Sequence, residues 1–131
     1  MKVVGLDYGA ARTGVAVSDP TGTIARPLTT IRRATTDAGF NELLTVIDSA
    51  EAQLIVVGMP LTLRGEHGEQ ARATERFVAT LREAVDVPVE SLDERFTTAL
   101  AAQTPSRAAE DARAAAHLLT TYLERESGNR R

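Results

Sequence analysis

The run Val3-Val4-Gly5-Leu6-Asp7 is apolar until its last residue and then ends on a carboxylate, and this constrains the chain more than any other feature. A charge where the pattern calls for core needs a partner, because an unpaired buried carboxylate is strongly destabilising. The simplest partner is a metal ion. Tyr8-Gly9 follows at once, and the chain returns through Gly14-Val15-Ala16-Val17-Ser18-Asp19. Gly9 and Gly14 permit the tight connection, so residues 2–8 and 13–19 are expected to form a hairpin of strands.

A weaker third strand, Ile24 to Ile31, is expected after the turn Asp19-Pro20-Thr21-Gly22. The period then changes to alternating helix and strand. Phe40, Leu43, Leu44 and Ile47 fall on one helical face behind Thr36, a suitable N-cap, with Asp37 in the first turn. Gln53 to Gly58 is a continuous apolar run, the pattern of a strand covered on both faces. A second helix over 69–84 turns Ala73, Phe77, Val78 and Leu81 inward. The next strand, Val87 to Leu92, carries Pro88 near its start, which marks a strand beginning or an edge. The last helix is expected from Pro105 to Glu126 with Thr104 as cap. Its inward stripe is Ala108, Asp111 or Ala112, Ala115, Leu118, Leu119 and Tyr122.

Hairpins followed by helix-strand alternation make an α/β domain. With 131 residues and 43% hydrophobic content, the chain supplies one core and is too short for two lobes facing across a cleft. One domain is expected over 1–126, with a flexible tail over 127–131. The absence of cysteine excludes disulfides, thiolate catalysis and Cys-ligated zinc. No apolar stretch approaches the roughly 18 residues of a membrane span, so a cytoplasmic protein without a membrane partner is expected. A net charge of −3 argues against coating nucleic acid by bulk charge, and any such site must be local.

Three acidic positions fall where they can meet. Asp7 ends the first strand, Asp93-Glu94 ends the last, and Asp111 lies on or beside the sheet-facing side of the final helix. If the two strands run parallel, both open on the edge where α/β sheets bind ligands. Carboxylates gathered there suit Mg²⁺ or Mn²⁺. Two such ions about 3.5–4 Å apart can clamp the attacking and leaving oxygens of a phosphodiester. Asp7 or Asp111 alone reads as an ordinary strand-end or first-turn acid, and only the combination argues for a site.

Arg12, Arg64, Arg72, Arg76 and Arg95 are candidates for nucleic-acid backbone contact, although Arg72 and Arg76 also interleave with Glu69 and Glu75 as on a solvated helix face. The loop from Gly58 to Gly68 lacks the Lys and Ser/Thr of a P-loop. Tyr8, beside Asp7, is placed to contact a sugar or base, as His67 is to touch substrate.

Gly5-Leu6-Asp7-Tyr8-Gly9 through Arg12-Thr13-Gly14-Val15-Ala16-Val17-Ser18-Asp19 resembles the opening of the YqgF/RuvX family, the bacterial RNase H-like nucleases. Ile55 to Leu61 with Gly65 and Gly68, Asp93 to Thr98, and Asp111 through Ala115, Leu118, Leu119 and Tyr122 agree with that family in order. The resemblance implies an RNase H-like α/β fold, a five-stranded mixed sheet ordered 3-2-1-4-5 with helices on both faces. It implies a divalent-metal nuclease, Mg²⁺ or Mn²⁺ at two sites, acting in 5′-end processing of pre-16S rRNA, or on Holliday junctions as the alternative. Asp7, Glu94 in preference to Asp93, and Asp111 are then the catalytic metal ligands. The expected partner is structured RNA or branched DNA, and the expected state a monomer or weak homodimer.

Two departures stand out: the stretch between Asp93 and Asp111 is shorter than the family pattern, and Thr62-Leu63-Arg64 makes the loop after Pro60 more basic. Two other function classes compete. An actin-like ATPase would need a second lobe, and a catalytically idle module would bind nucleic acid without turnover.

Overall fold

The apolar runs assemble into one sheet. In the computed structural model, residues 1–60, 68–93 and 107–129 are described. Arg64, His67, Glu94, Arg95, Thr104 and Pro105 lie outside them, as does the side chain of Ala108. In chain order the elements are β1 (Val3–Asp7), β2 (Arg12–Ser18), β3 (Ala25–Arg32), α1 (Asp37–Ser49), β4 (Leu54–Met59), α2 (Glu69–Ala84), β5 (Val89–Asp93) and α3 (Arg107–Asn129). The sheet order is β3-β2-β1-β4-β5, as the resemblance implied. β1 pairs antiparallel with β2 and parallel with β4, and β4 pairs parallel with β5. The C-terminal ends of β1, β4 and β5 therefore share one edge.

Strand alternation divides the core in two. Val4, Leu6, Val15, Val17, Ile55 and Val57 pack on one side with Leu43 and Ile47 of α1 and Phe77, Val78 and Leu81 of α2. Val3, Ala16, Leu54, Val56 and Leu92 pack on the other with Ala115, Leu118, Leu119 and Leu123 of α3. β4, covered on both faces, reads as an unbroken apolar run for that reason. Two glycines let α3 settle almost backbone to backbone on the sheet. A Cβ on Gly5 would stand 2.9 Å from Leu119 Cβ, and one on Gly14 only 1.8 Å from the carbonyl oxygen of Asp111.

Local signals account for most boundaries, and the exceptions have physical causes. The N–H of Gly39 donates to Thr36 Oγ1 at 3.2 Å, the cap expected for α1. β5 starts at Val89, because Pro88 lacks an N–H for the ladder and offers only its carbonyl, which accepts from Ile55. On α2 the buried stripe includes Ala71 and Thr74, with Ala73 only half-buried. Thr74 tolerates this because its hydroxyl donates to the Gln70 carbonyl at 2.9 Å. α3 continues past Glu126 to Asn129. Among the described residues, no helix is long and apolar enough to cross a membrane.

Candidate metal and nucleic-acid site

Asp7 closes β1 at the edge where β4 and β5 also end. It is paired with Gly14 of β2. On the other side, the Leu6–Val57 register carried one residue further sets it beside Gly58 of β4. Gly5 faces Ala115 and Leu119 of α3, so Asp7, two residues on, projects toward the same face. Its neighbours across both strands are glycines, both buried, and Asp7 itself is half-buried.

The last helix brings a second acid to this row. The Asp111 carbonyl lies directly over Gly14, the residue paired with Asp7. Arg12 alternates with Gly14 and so faces α3 as well, and its Nε donates to Asp111 Oδ2 at 2.7 Å. The two side chains are 35% and 26% exposed, so this is a partly buried, charge-assisted contact. Residues 99 apart in sequence are thus fixed to each other at one corner of the sheet.

Other candidates are placed elsewhere. Leu92 packs with α3, so Asp93, the next residue along β5, alternates to the face of α1 and α2. Tyr8 turns the same way, and its ring stacks on Phe77 of α2 with centroids 4.4 Å apart and planes 18° from parallel. Tyr8 therefore lies on the opposite side of the sheet from Asp7. Arg72 and Arg76 are exposed near the start of α2, and Arg76 lines a groove of about 360 Å³ with Tyr8, Phe40 and Phe77. Asp7, Asp111 and Arg12 come together, whereas Asp93, Arg72 and Arg76 do not join them. Glu94, Arg64 and Arg95 lie outside the described residues.

One basic neighbour escaped the sequence reading. Arg32 is paired across strands with Arg12. The third strand was expected to end at Ile31, one residue too early, and the alternation of buried Ile31 with exposed Arg32 was the available signal.

The donor chemistry suits a hard divalent cation, since Asp7 and Asp111 offer only carboxylate oxygens. Among the described residues no three acids or histidines are grouped as ligands, so a third acid would have to come from outside them.

A sequence model of the RuvX family, described as Holliday junction resolvase, matches residues 1–125. A relative from Roseiflexus sp. (strain RS-1), provisionally named as a pre-16S rRNA nuclease, is 44% identical over 100 residues, 76% of this chain and 71% of the relative. One from Sulfurihydrogenibium sp. (strain YO3AOP1), with the same name, is 40% identical over 135 residues, 96% of this chain and 92% of its own. Among solved structures, T. thermophilus RuvC in complex with a Holliday junction substrate superposes with a TM-score of 0.61 at 18% identity, covering 98% of this chain and 96% of that one. That likeness places the architecture among RNase H-like folds. With the match running from the first strand to the last helix, this chain belongs to the RuvX family.

Proposed function

We propose that the protein is a divalent-metal-dependent nuclease that hydrolyses phosphodiester bonds, with the 5′ end of pre-16S rRNA as its substrate. The observation that carries this reading is the seating of Asp111, bonded to Arg12, over Gly14, the residue paired with Asp7. The names of the relatives and the family description support the reaction class.

Asp7 and Asp111 would hold Mg²⁺ or Mn²⁺, with Glu94 as the third acid. Glu94 is preferred to Asp93 because Asp93 alternates onto the face of α1 and α2. The cation, when bound, supplies charge neutralisation for the scissile phosphate and acidifies the attacking water. The chain's own residues do the rest. Arg12 holds Asp111 in place through its Nε, over the glycine paired with Asp7. Arg64, Arg72, Arg76 and Arg95 are assigned to the nucleic-acid backbone, in a cytoplasmic protein acting as a monomer or weak homodimer.

The description of the family keeps branched DNA as a second reading. Labelled pre-16S 5′-leader RNA and a four-way DNA junction, each incubated with Mg²⁺ or Mn²⁺, separate the two. Cleavage of the RNA is expected, and symmetrical nicking of the junction alone would promote the second reading. Asp7→Asn should lose cleavage while keeping the wild-type melting temperature and circular dichroism. A variant that cuts at the wild-type rate would remove Asp7 from the reaction.

A further inference from the structure

Arg12 and Arg32 stand directly opposite each other on antiparallel strands. Paired residues of this kind have Cα atoms about 4.5–5.5 Å apart and project to the same face, so two like charges there destabilise the sheet unless something offsets them. Ile31 is fully buried on the α1 side and pairs with buried Thr13, which sends Arg32 to the α3 face with Arg12. Asp111 offsets Arg12. Arg32 is exposed, and among the described residues no hydrogen bond or ion pair offsets its charge. Its position is nonetheless fixed, because Arg33 adopts a left-handed backbone at φ 48° and its N–H donates to the Ala11 carbonyl at 2.9 Å, which pins the end of β3.

We infer that Arg32 and Arg12 together form a phosphate-binding subsite for the nucleic-acid backbone, immediately beside the corner where Asp7 and Asp111 meet. The inference rests on the nuclease reading above and adds to it where the strand next to the scissile phosphate runs: past the Arg12–Arg32 end of β2 and β3, at the margin of α3. Arg12 is engaged through Nε, so its terminal nitrogens remain to face a phosphate, and the Arg32 guanidinium supplies a second planar fork for phosphate oxygens. An anion bridging the two would offset the charge that Asp111 leaves uncompensated. Arg26 is the internal comparison. It pairs with Val17, a residue of the α1-side core, and so presents the same charge from the same strand to the other face.

The test is binding of a fluorescein-labelled stem-loop RNA with a single-stranded 5′ extension to the full chain in EDTA, read by anisotropy across a KCl series. Losing one phosphate contact lowers the slope of log K against log salt by about 0.7–0.9, equivalent to roughly five- to eightfold weaker binding at about 0.1 M salt. Arg32→Ala should show that loss, Arg32→Lys should keep the slope, and Arg26→Ala should behave as wild type, with thermal melts confirming that each variant folds. An unchanged slope in Arg32→Ala, or an equal loss in Arg26→Ala, overturns the subsite. Cleavage by the same preparations separates the two ideas. Wild-type cutting with an unchanged Arg32→Ala slope sinks the subsite alone, whereas the predicted slopes without wild-type cutting sink the nuclease reading and leave a binding site. A wild-type chain that neither binds nor cuts ends both.

Discussion

Replacing Gly14 with Ala tests whether α3 sits where the carboxylates require it. The new Cβ would stand 1.8 Å from the Asp111 carbonyl oxygen and 2.3 Å from its carbonyl carbon. No rotamer relieves a collision between two backbones, so the start of α3 must retreat by about 1.6 Å to restore ordinary contact. Overpacking of this kind costs about 3 kcal/mol, the upper end of the usual range, because neither partner is a flexible side chain. The smaller entropy of the unfolded alanine chain returns up to about 1 kcal/mol. A net loss of about 2 kcal/mol, with an unfolding entropy of about 2.1 cal/mol/K per residue, lowers the melting temperature by about 7 °C for this chain. The same retreat draws Asp111 away from Arg12 and Asp7, so RNA cleavage should fall in parallel. Two other glycines calibrate the scale. Gly5→Ala meets Leu119 Cβ at 2.9 Å and the Ala115 carbonyl oxygen at 3.2 Å and should cost about 1 kcal/mol. Gly68→Ala meets nothing within 4 Å among the described residues and, at the N-cap of α2, should cost no more than about 1 kcal/mol. Calorimetric melts of the three variants supply the ranking. A Gly14→Ala protein that melts at or above wild type, or no lower than Gly68→Ala, would refute the close seating of α3.

Two further outcomes are expected. Thr36→Ala removes the oxygen that accepts from Gly39 N–H and should cost about 1 kcal/mol in urea denaturation, with serine restoring most of it. Asp19 accepts from the N–H of Ile24, the hydroxyl of Thr21 and the N–H of Thr23, in that order of influence, and its carboxyl is held well below the usual carboxylate range. Its contribution to stability is therefore complete above the unfolded value of about pH 3.9 and is lost as the pH falls below it. Asp19→Asn should flatten the acid decline of stability measured by urea titration between about pH 5 and pH 3. An acid limb of unchanged slope would show that the turn does not couple to protonation.

What could be read from the chain, and what could not, follows from the range of the interactions. Thr36 and the β4 run announce themselves because capping and burial on both faces act over a few residues. Asp7 was legible as a charge in a core pattern, and alternation along β1 gives its face once Gly5 is seen against α3. Thr74 was missed on the inward stripe because its hydroxyl is satisfied within its own helix, so a polar residue costs little there. Tyr8 looked like a neighbour of the site because it is adjacent to Asp7 in sequence, yet adjacent residues on a strand face opposite ways. The approach of Asp111 to Gly14, and the bond from Arg12 that accompanies it, depend on how α3 docks. No local pattern encodes a contact between residues 99 apart.

The proposed cation site joins Asp7 and Asp111 on the α3 face of the sheet edge. Titration of the isotopically labelled protein with substoichiometric Mn²⁺, followed by amide NMR, tests it without reference to turnover. Selective broadening of the amides of Asp7, Gly14 and Asp111 is expected, with sharp signals from α1 and loss of the effect in Asp7→Asn. Broadening centred on α1, or uniform broadening that survives Asp7→Asn, would contradict it.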